Sequence, residues 1–378
     1  MFAKHILLPC FLGTLACLWD GFENRPTPVS IVGHVGDVKK SDKKVEKKKE
    51  VWTDASDPSL PADFKFQGEY ANKDAEASCQ VIAMGGSAFQ AVLYHNGLPG
   101  AGWDGKNRSL MDGKLDGDKV LFVPTTGKRK YLAKSPTEFS ATAKFPPVGQ
   151  RDYSASIFGD TMTVIPGNDE KLAFKLKKIV RKSDTLGVKP RGGAVILFDG
   201  SGKDEWKGGR VDKQTGLLNT DGSDITTNRK FNNYTAHVEF LLPYRPDARG
   251  QGRGNSGFYQ VDHYEVQILD SFGLEGMNNE CGGIYSLVKP TVNMCLPPLQ
   301  WQTYDVEFTN AVCDDSGKKI KNSRITLKHN GVVIHDNVEL KGKTGGARNE
   351  PEGTPGILRL QGHGNPLQFR NIWVIEKK

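Results

Sequence analysis

From about residue 62 to the C-terminus, apolar and polar positions alternate in short runs separated by Gly, Asp, Asn or Pro, a pattern of β-strands joined by tight turns. The first group of runs comprises "SCQVIAMG" (78–85), "AFQAVLYHNG" (88–97), "KVLFVP" (119–124), "SASIFG" (154–159), "TMTVIPG" (161–167) and "LAFKLKKIV" (172–180). The polar stretch "SDTLGVKPRGGA" (183–194) then interrupts the alternation, which resumes more strongly and continues to the end. No run carries a 3.6-residue period with caps. The pattern predicts an all-β chain: a small β-rich domain over 61–182 and a larger antiparallel β-sandwich over 190–378.

In the larger domain three runs place ionisable or amide side chains on one strand face and apolar ones on the other. "AHVEFLL" (236–242) sets His237 and Glu239 against Val238 and Phe240. "HYEVQIL" (263–269) sets His263, Glu265 and Gln267 against Tyr264, Val266 and Ile268. "ILRLQGH" (357–363) sets Arg359, Gln361 and His363 against Leu358 and Leu360. One such strand reads as an ordinary solvent face. Three together are unusual, because exposed β positions draw Thr and Lys more often than the proton-binding Glu, Gln, His and Arg. They read as the floor of a groove. Strict alternation leaves Asp270 on the core side unless the strand ends or bulges before it. Asn330-Gly331 in "RITLKHNGVVIHD" (324–336) predicts a hairpin with a type I′ turn.

The ends and the charge refine this picture. Residues 1–22 combine a short basic start with an apolar stretch from Ile6 to Trp19, too short for a membrane span of about 20 residues. They read as a signal peptide or lipoprotein-type leader, which makes the protein exported: periplasmic, cell-envelope or secreted. Residues 23–60 read as a Lys-rich flexible linker. The net charge of +7 does not indicate nucleic acid, since "VKKSDKKVEKKKE" (38–50) alone holds seven Lys against three acids and reads as a solvated tether. Membrane contact is expected only through the leader. Six cysteines show no zinc spacing; in an exported protein Cys281 and Cys295 either pair as a disulfide or remain buried thiols.

The larger domain also resembles the 3-keto-disaccharide hydrolase domain family. The resemblance runs in order through "VILFDGSGKDEW" (195–206), "GNSGFY" (254–259), "YEVQILDS" (264–271), "GGIY" (282–285), "WQTYDVEF" (301–308), "HNGVVIHDNVEL" (329–340), "TGG" (344–346) and "LQGHGNPLQFRNIWV" (360–374). It implies a concanavalin A-like β-sandwich (jelly roll) and a glycoside substrate oxidised to a ketone at C3 of the sugar. It further implies elimination at C2–C1 followed by hydration. One departure is Gly362, where the family usually has an acidic residue.

On strand parity and this motif, Glu265 and His363 are the candidate bases. Gln267 and Arg359, with a possible divalent metal ion, would hold the enolate oxygen; Glu239 and Asp270 are further candidate acids. Substrate-binding candidates are Asn255, Tyr259, His263, Arg359, Gln361 and Tyr285, with Trp206 as another stacking aromatic. No strand–Gly-x-Gly-x-x-Gly–helix fingerprint is present, so neither NAD nor flavin is expected and a separate sugar C3-oxidoreductase would supply the substrate. Three alternatives stand beside this reading: a two-carboxylate glucanase of the same fold, a non-catalytic, lectin-like carbohydrate-binding module, and an adhesion or scaffold protein, which the Lys-rich tether would suit.

Overall fold

The computed structural model describes residues 50–74, 77–348 and 351–377. The expected leader and most of the Lys-rich linker lie outside the described residues. Only two single-turn 3₁₀ helices, Glu170–Leu172 and Gly250–Gly252, interrupt the strands among those residues.

The first eight strands close into a barrel: β1 (Gly68–Ala71), β2 (Ala77–Ala83), β3 (Ala88–His95), β4 (Arg108–Asp116), β5 (Lys119–Pro124), β6 (Tyr153–Phe158), β7 (Thr161–Pro166) and β8 (Phe174–Ile179). Neighbours in this series all pair antiparallel, β5 with β6 across a long connection, and β1 closes antiparallel on β8. Closure leaves no free edge. Alternate residues such as Val81, Ala91, Met111, Val120, Ile157 and Val164 fill the interior.

Thirteen further strands build the sandwich: β9 (Val195–Phe198), β10 (Trp206–Lys207), β11 (Arg210–Val211), β12 (Leu218–Asn219), β13 (Ile225–Phe231), β14 (Tyr234–Leu241), β15 (Ser256–Gln260), β16 (Tyr264–Ile268), β17 (Trp301–Thr309), β18 (Ser323–His329), β19 (Val332–Leu340), β20 (Gly356–Leu360) and β21 (Gln368–Glu376). One sheet runs β11-β12-β21-β14-β17-β18-β19, with β9 also on β21; the other runs β10-β13-β20-β15-β16. Val238, Phe240, Tyr304, Val306 and Phe369 from the first sheet meet Phe258, Tyr264, Val266, Ile268, Leu358 and Leu360 from the second in one core. Asn330 and Gly331 both take positive φ (52° and 84°), as a type I′ turn between β18 and β19 requires.

Barrel and sandwich share that core. Ile82, Val92, Tyr94 and Leu110 are buried in the same cluster as Phe272, Leu274 and Met294. Polar clasps reinforce it: Arg253 donates to Ala83 O (3.2 Å), Arg249 to Met84 O (2.7 Å) and the Tyr244 hydroxyl to Asp63 (2.8 Å). The linker expected to reach residue 60 therefore ends earlier. Trp52 is buried and exchanges backbone hydrogen bonds with Tyr244 (3.0 and 2.8 Å). Trp206, a candidate stacking residue, is a core side chain whose indole N–H donates to Leu197 O.

Candidate functional site

The polar face of the five-stranded sheet forms the site. Cross-strand register sets Tyr259 on β15 opposite both Glu265 on β16 and Arg359 on β20, and Gly257 opposite Gln267. Side chains in register on one face are neighbours, so this pairing gathers them. A cleft of about 300 Å³ opens above them, lined by Gln251, Asn255, Tyr259, Glu265, Gln267, Tyr285, Gly345, Gly346, Gln361 and His363. β16 is an edge strand, and the backbone of 282–285 covers it: Gln267 N donates to Gly283 O (2.9 Å) and Tyr285 N to Glu265 O (3.0 Å). That covering segment delivers Tyr285 to the cleft wall.

Glu265 lies at the floor. Its carboxylate occupies space that any side chain at 257 would claim: a Cβ on Gly257 would stand 2.2 Å from Glu265 Oε1. The Tyr259 hydroxyl donates to Glu265 Oε2 (2.8 Å) and also lies 2.9 Å from Gly345 O. It can serve the carboxylate when Glu265 is ionised and the carbonyl when Glu265 is protonated. Burial pushes the Glu265 carboxyl up to about 7, against the Tyr259 hydrogen bond and the Arg359 charge, with Asp224 adding to the rise. Burial, with the Glu265 charge beside it, raises the Tyr259 hydroxyl far above its ordinary value, so it stays protonated.

An amide network forms the next wall. Gln267 Nε2 donates to Asn255 Oδ1 (2.9 Å), and Asn255 Nδ2 donates to Gln251 O (3.0 Å) and Oε1 (2.9 Å). Gln361 Nε2 reaches the Tyr259 hydroxyl at 3.3 Å. His363 stands exposed at the rim.

Of the residues expected from strand parity and motif, Glu265, Gln267, His363, Asn255, Tyr259, Gln361 and Tyr285 come together here. Four others do not. Glu239 belongs to the opposite sheet, on its outer face, where the 183–188 segment covers it: Gly187 N, Asn371 and Arg370 all donate to its carboxylate (2.6–2.8 Å). Burial pulls its carboxyl upward, but these bonds and His237 outweigh burial and hold it at about 2, unsuitable for an acid. Asp270 follows the end of β16 and pairs with Arg253 (2.7 and 2.8 Å), in the joint with the barrel. His263 is buried edge-on to Tyr264, away from the cleft. Arg359 is on the right face but behind Tyr259, its guanidinium 3.6 Å from the ring centre. Its guanidinium is turned to Asp262 (2.6 Å), Asp224 (3.1 Å) and Gly346 O (2.7 Å), and it does not line the cleft.

Gln251, Gly345 and Gly346 complete the cleft without having been expected there. The 344–346 segment belongs to a quoted motif, whereas Gln251 sits in a Gly-rich turn with no periodic signal. At Gly362, a Cβ would lie 2.1–2.3 Å from the Ser223 backbone, so no acidic side chain fits at this position. Among the described residues no three His, Cys, Asp or Glu converge to hold a metal ion. Cys281 and Cys295 are buried free thiols, Cys281 within 3.1 Å of the Tyr304 hydroxyl.

Residues 193–375 match the model of the 3-keto-alpha-glucoside-1,2-lyase-like domain. Over these residues the sandwich domain is similar to that family. The match is to a glycoside-acting domain. Solved structures similar to the chain include two proposed glycosyl hydrolases of Parabacteroides distasonis. One is 29% identical, with a TM-score of 0.45, covering 49% of this chain and 84% of that one. The other is 19% identical, with a TM-score of 0.37, covering 49% and 95%. Among curated proteins none matches the chain.

Proposed function

We propose that this lyase-like domain cleaves glycosides already oxidised to a ketone at C3 of the sugar, by elimination across C2–C1 and subsequent hydration. The observation that carries the reading is the lone carboxylate. Among the described residues Glu265 is the one acid lining the cleft, and its proton affinity is poised near neutrality. A two-carboxylate glycosidase needs a second acid about 5–10 Å across the scissile bond. Glu239 and Asp270 are not there to supply it. A C3 ketone removes that need, because it acidifies the C2 hydrogen and one buried base of matched affinity suffices.

In the proposed sequence Glu265 takes the C2 proton and the electron pair moves onto the C3 oxygen as an enolate. The side-chain amides of Gln267 and Gln361, both in the cleft lining, would turn N–H groups to that oxygen. The enolate collapses back to the ketone, forming the C1–C2 double bond and breaking the bond from C1 to the leaving oxygen. His363 at the rim protonates that oxygen. Water then adds its hydroxyl at C1, its proton restoring His363, and Glu265 returns its proton to C2. The net change is hydrolysis, with no change in oxidation state. The C3 ketone must come from a separate sugar oxidoreductase, and the leader-like N-terminus supports an exported site of action.

The test uses the full chain with a 3-keto-glucoside and the unoxidised glucoside, following aglycone release with and without a chelator. Release from the keto sugar alone is expected, abolished by Glu265→Gln with sugar binding retained. Equal turnover of the plain glucoside would overturn the proposal. Binding of either sugar without cleavage would favour the lectin-like alternative.

A further inference from the structure

Arg359 presents a problem for the floor of the cleft. Its guanidinium stacks 3.6 Å from the centre of the Tyr259 ring, whose hydroxyl holds Glu265. An uncompensated cation so close would favour the ionised carboxylate strongly. Two acids meet it on its far side. Asp262 is buried and accepts from Arg359 Nε at 2.6 Å. Asp224, in the turn before β13, accepts from Arg359 Nη1 at 3.1 Å, from Arg348 Nη2 at 2.5 Å and from Gly362 N at 2.9 Å. The last bond fixes Asp224 to the segment after β20 that carries Gln361. The backbone of neighbouring Ser223 fills the space a side chain at 362 would need.

We infer that Asp224 is a positioning residue of the cleft: it neutralises Arg359 behind Tyr259, so that the cation supports the ring without pinning Glu265 as a carboxylate. The inference rests on the reading of Glu265 as the proton-transfer group. The plainer alternative is a surface ion-pair brace. Arg348 follows the 344–346 wall segment, and its backbone N donates to Asp262 O (3.2 Å), so the same contacts also tie that segment down. The two differ in what they do to Glu265. The charged or titratable groups facing it from the surrounding elements are Tyr259 on β15, Arg359 on β20, Tyr285 and His363 on the cleft walls, and Asp224 and Asp262 behind. Of these, Asp224 is accessible to substitution, with a side chain 28% exposed. Its direct field on Glu265 and its cancellation of Arg359 act in the same direction.

The experiment titrates Glu265 directly in the full chain, by the infrared carboxyl C=O band assigned through its loss in Glu265→Gln. Asp224→Asn is isosteric and keeps an oxygen for Gly362 N–H. It should lower the Glu265 titration midpoint by about one pH unit. Arg348→Gln removes a cation that competes for Asp224 and should move the midpoint the other way. That arm stands alone if Asp224→Asn does not fold. A midpoint unmoved in both variants, with only thermal stability reduced, would reduce the network to a brace and overturn the inference. No sugar enters the titration. Failure of the keto-glycoside reading would appear as absent turnover in the separate assay, whatever the midpoints do.

Discussion

Gly257→Ala tests the placement of Glu265 most cleanly. Gly257 lies within β15 at ordinary strand dihedrals, so alanine meets no backbone strain and gains about 0.5–1 kcal/mol from a stiffer unfolded chain. What it does meet is Glu265. The new methyl would stand 2.2 Å from Oε1, 2.8 Å from Cδ and 2.9 Å from Cγ. Ordinary van der Waals contact begins near 3.4 Å, so the carboxylate must retreat by roughly 1 Å and loses its 2.8 Å bond from Tyr259. Overpacking of this kind costs about 1–3 kcal/mol, partly offset by the backbone term, so a modest fall in Tm is expected. Catalysis should suffer more. A misplacement near 1 Å costs on the order of 10²-fold in kcat/KM. The assay is aglycone release from a 3-keto-glucoside, set beside thermal unfolding. Adding Glu265→Asp shortens the side chain by one methylene and makes room for the methyl, so the double variant should recover stability and the two single losses should not add. A Gly257→Ala enzyme with kcat/KM within threefold of the parent would refute the placement of the reacting carboxylate against residue 257.

Tyr259→Phe removes a hydrogen bond that favours the ionised carboxylate, so the acidic limb of the kcat/KM profile should move above its parent position near pH 7. His363→Ala should lower turnover by roughly 10²-fold for alkyl aglycones, which need a proton on leaving, and spare nitrophenyl ones, which do not. Glu239→Gln breaks a buried ionic cluster and should cost about 3–5 kcal/mol in urea unfolding, while kcat/KM of the folded fraction stays unchanged. Glu265→Gln should stabilise the protein in a pH-dependent way. The folded carboxyl titrates near 7 against an ordinary 4.5, so the folded chain binds more protons in that window and parent stability falls as pH rises through it. The gain on substitution should be small at pH 4.5 and up to about 3 kcal/mol at pH 8, compared by urea unfolding.

Strand parity was enough to find Glu265 and Gln267, because a period of two separates the faces of a strand whatever surrounds it. It could not say what covers each face. His237 and Glu239 show the same alternation as His263 and Glu265, yet the segment 183–188 lies over them through Thr185, Gly187 and Val188, and nothing in "AHVEFLL" encodes that cover. Arg359 fell on the expected face, but its orientation depends on Asp224 and Asp262, 135 and 97 residues away in the chain. Gln251 escaped notice because a Gly-rich turn carries no period. The strands of the first domain were legible as runs, whereas closure of β1 on β8 joins Glu69 to Ile179 and has no local signature.

The union of barrel and sandwich explains how such a floor is sustained. A carboxyl held near pH 7, a glycine in a strand and a wall of interlocked amides all cost stability, and loops hold the cleft's remaining walls. The barrel braces two of those loops. Its Leu132 lies against Gly250, beside the turn that offers Gln251, and Met84 O takes the side chain of Arg249 at that turn's start. Tyr131 of the same barrel segment donates to Glu280, whose carboxylate also gathers Gly276 N (2.8 Å) and Met277 N (2.9 Å) in the loop leading to Tyr285. Removing the barrel would uncover Phe272 and Leu274 at the shared core and release both loops together. The fold-bearing unit of the cleft is therefore wider than the family-matched 193–375, and the first domain supports the cleft through packing, with no side chain of its own in the lining among the described residues.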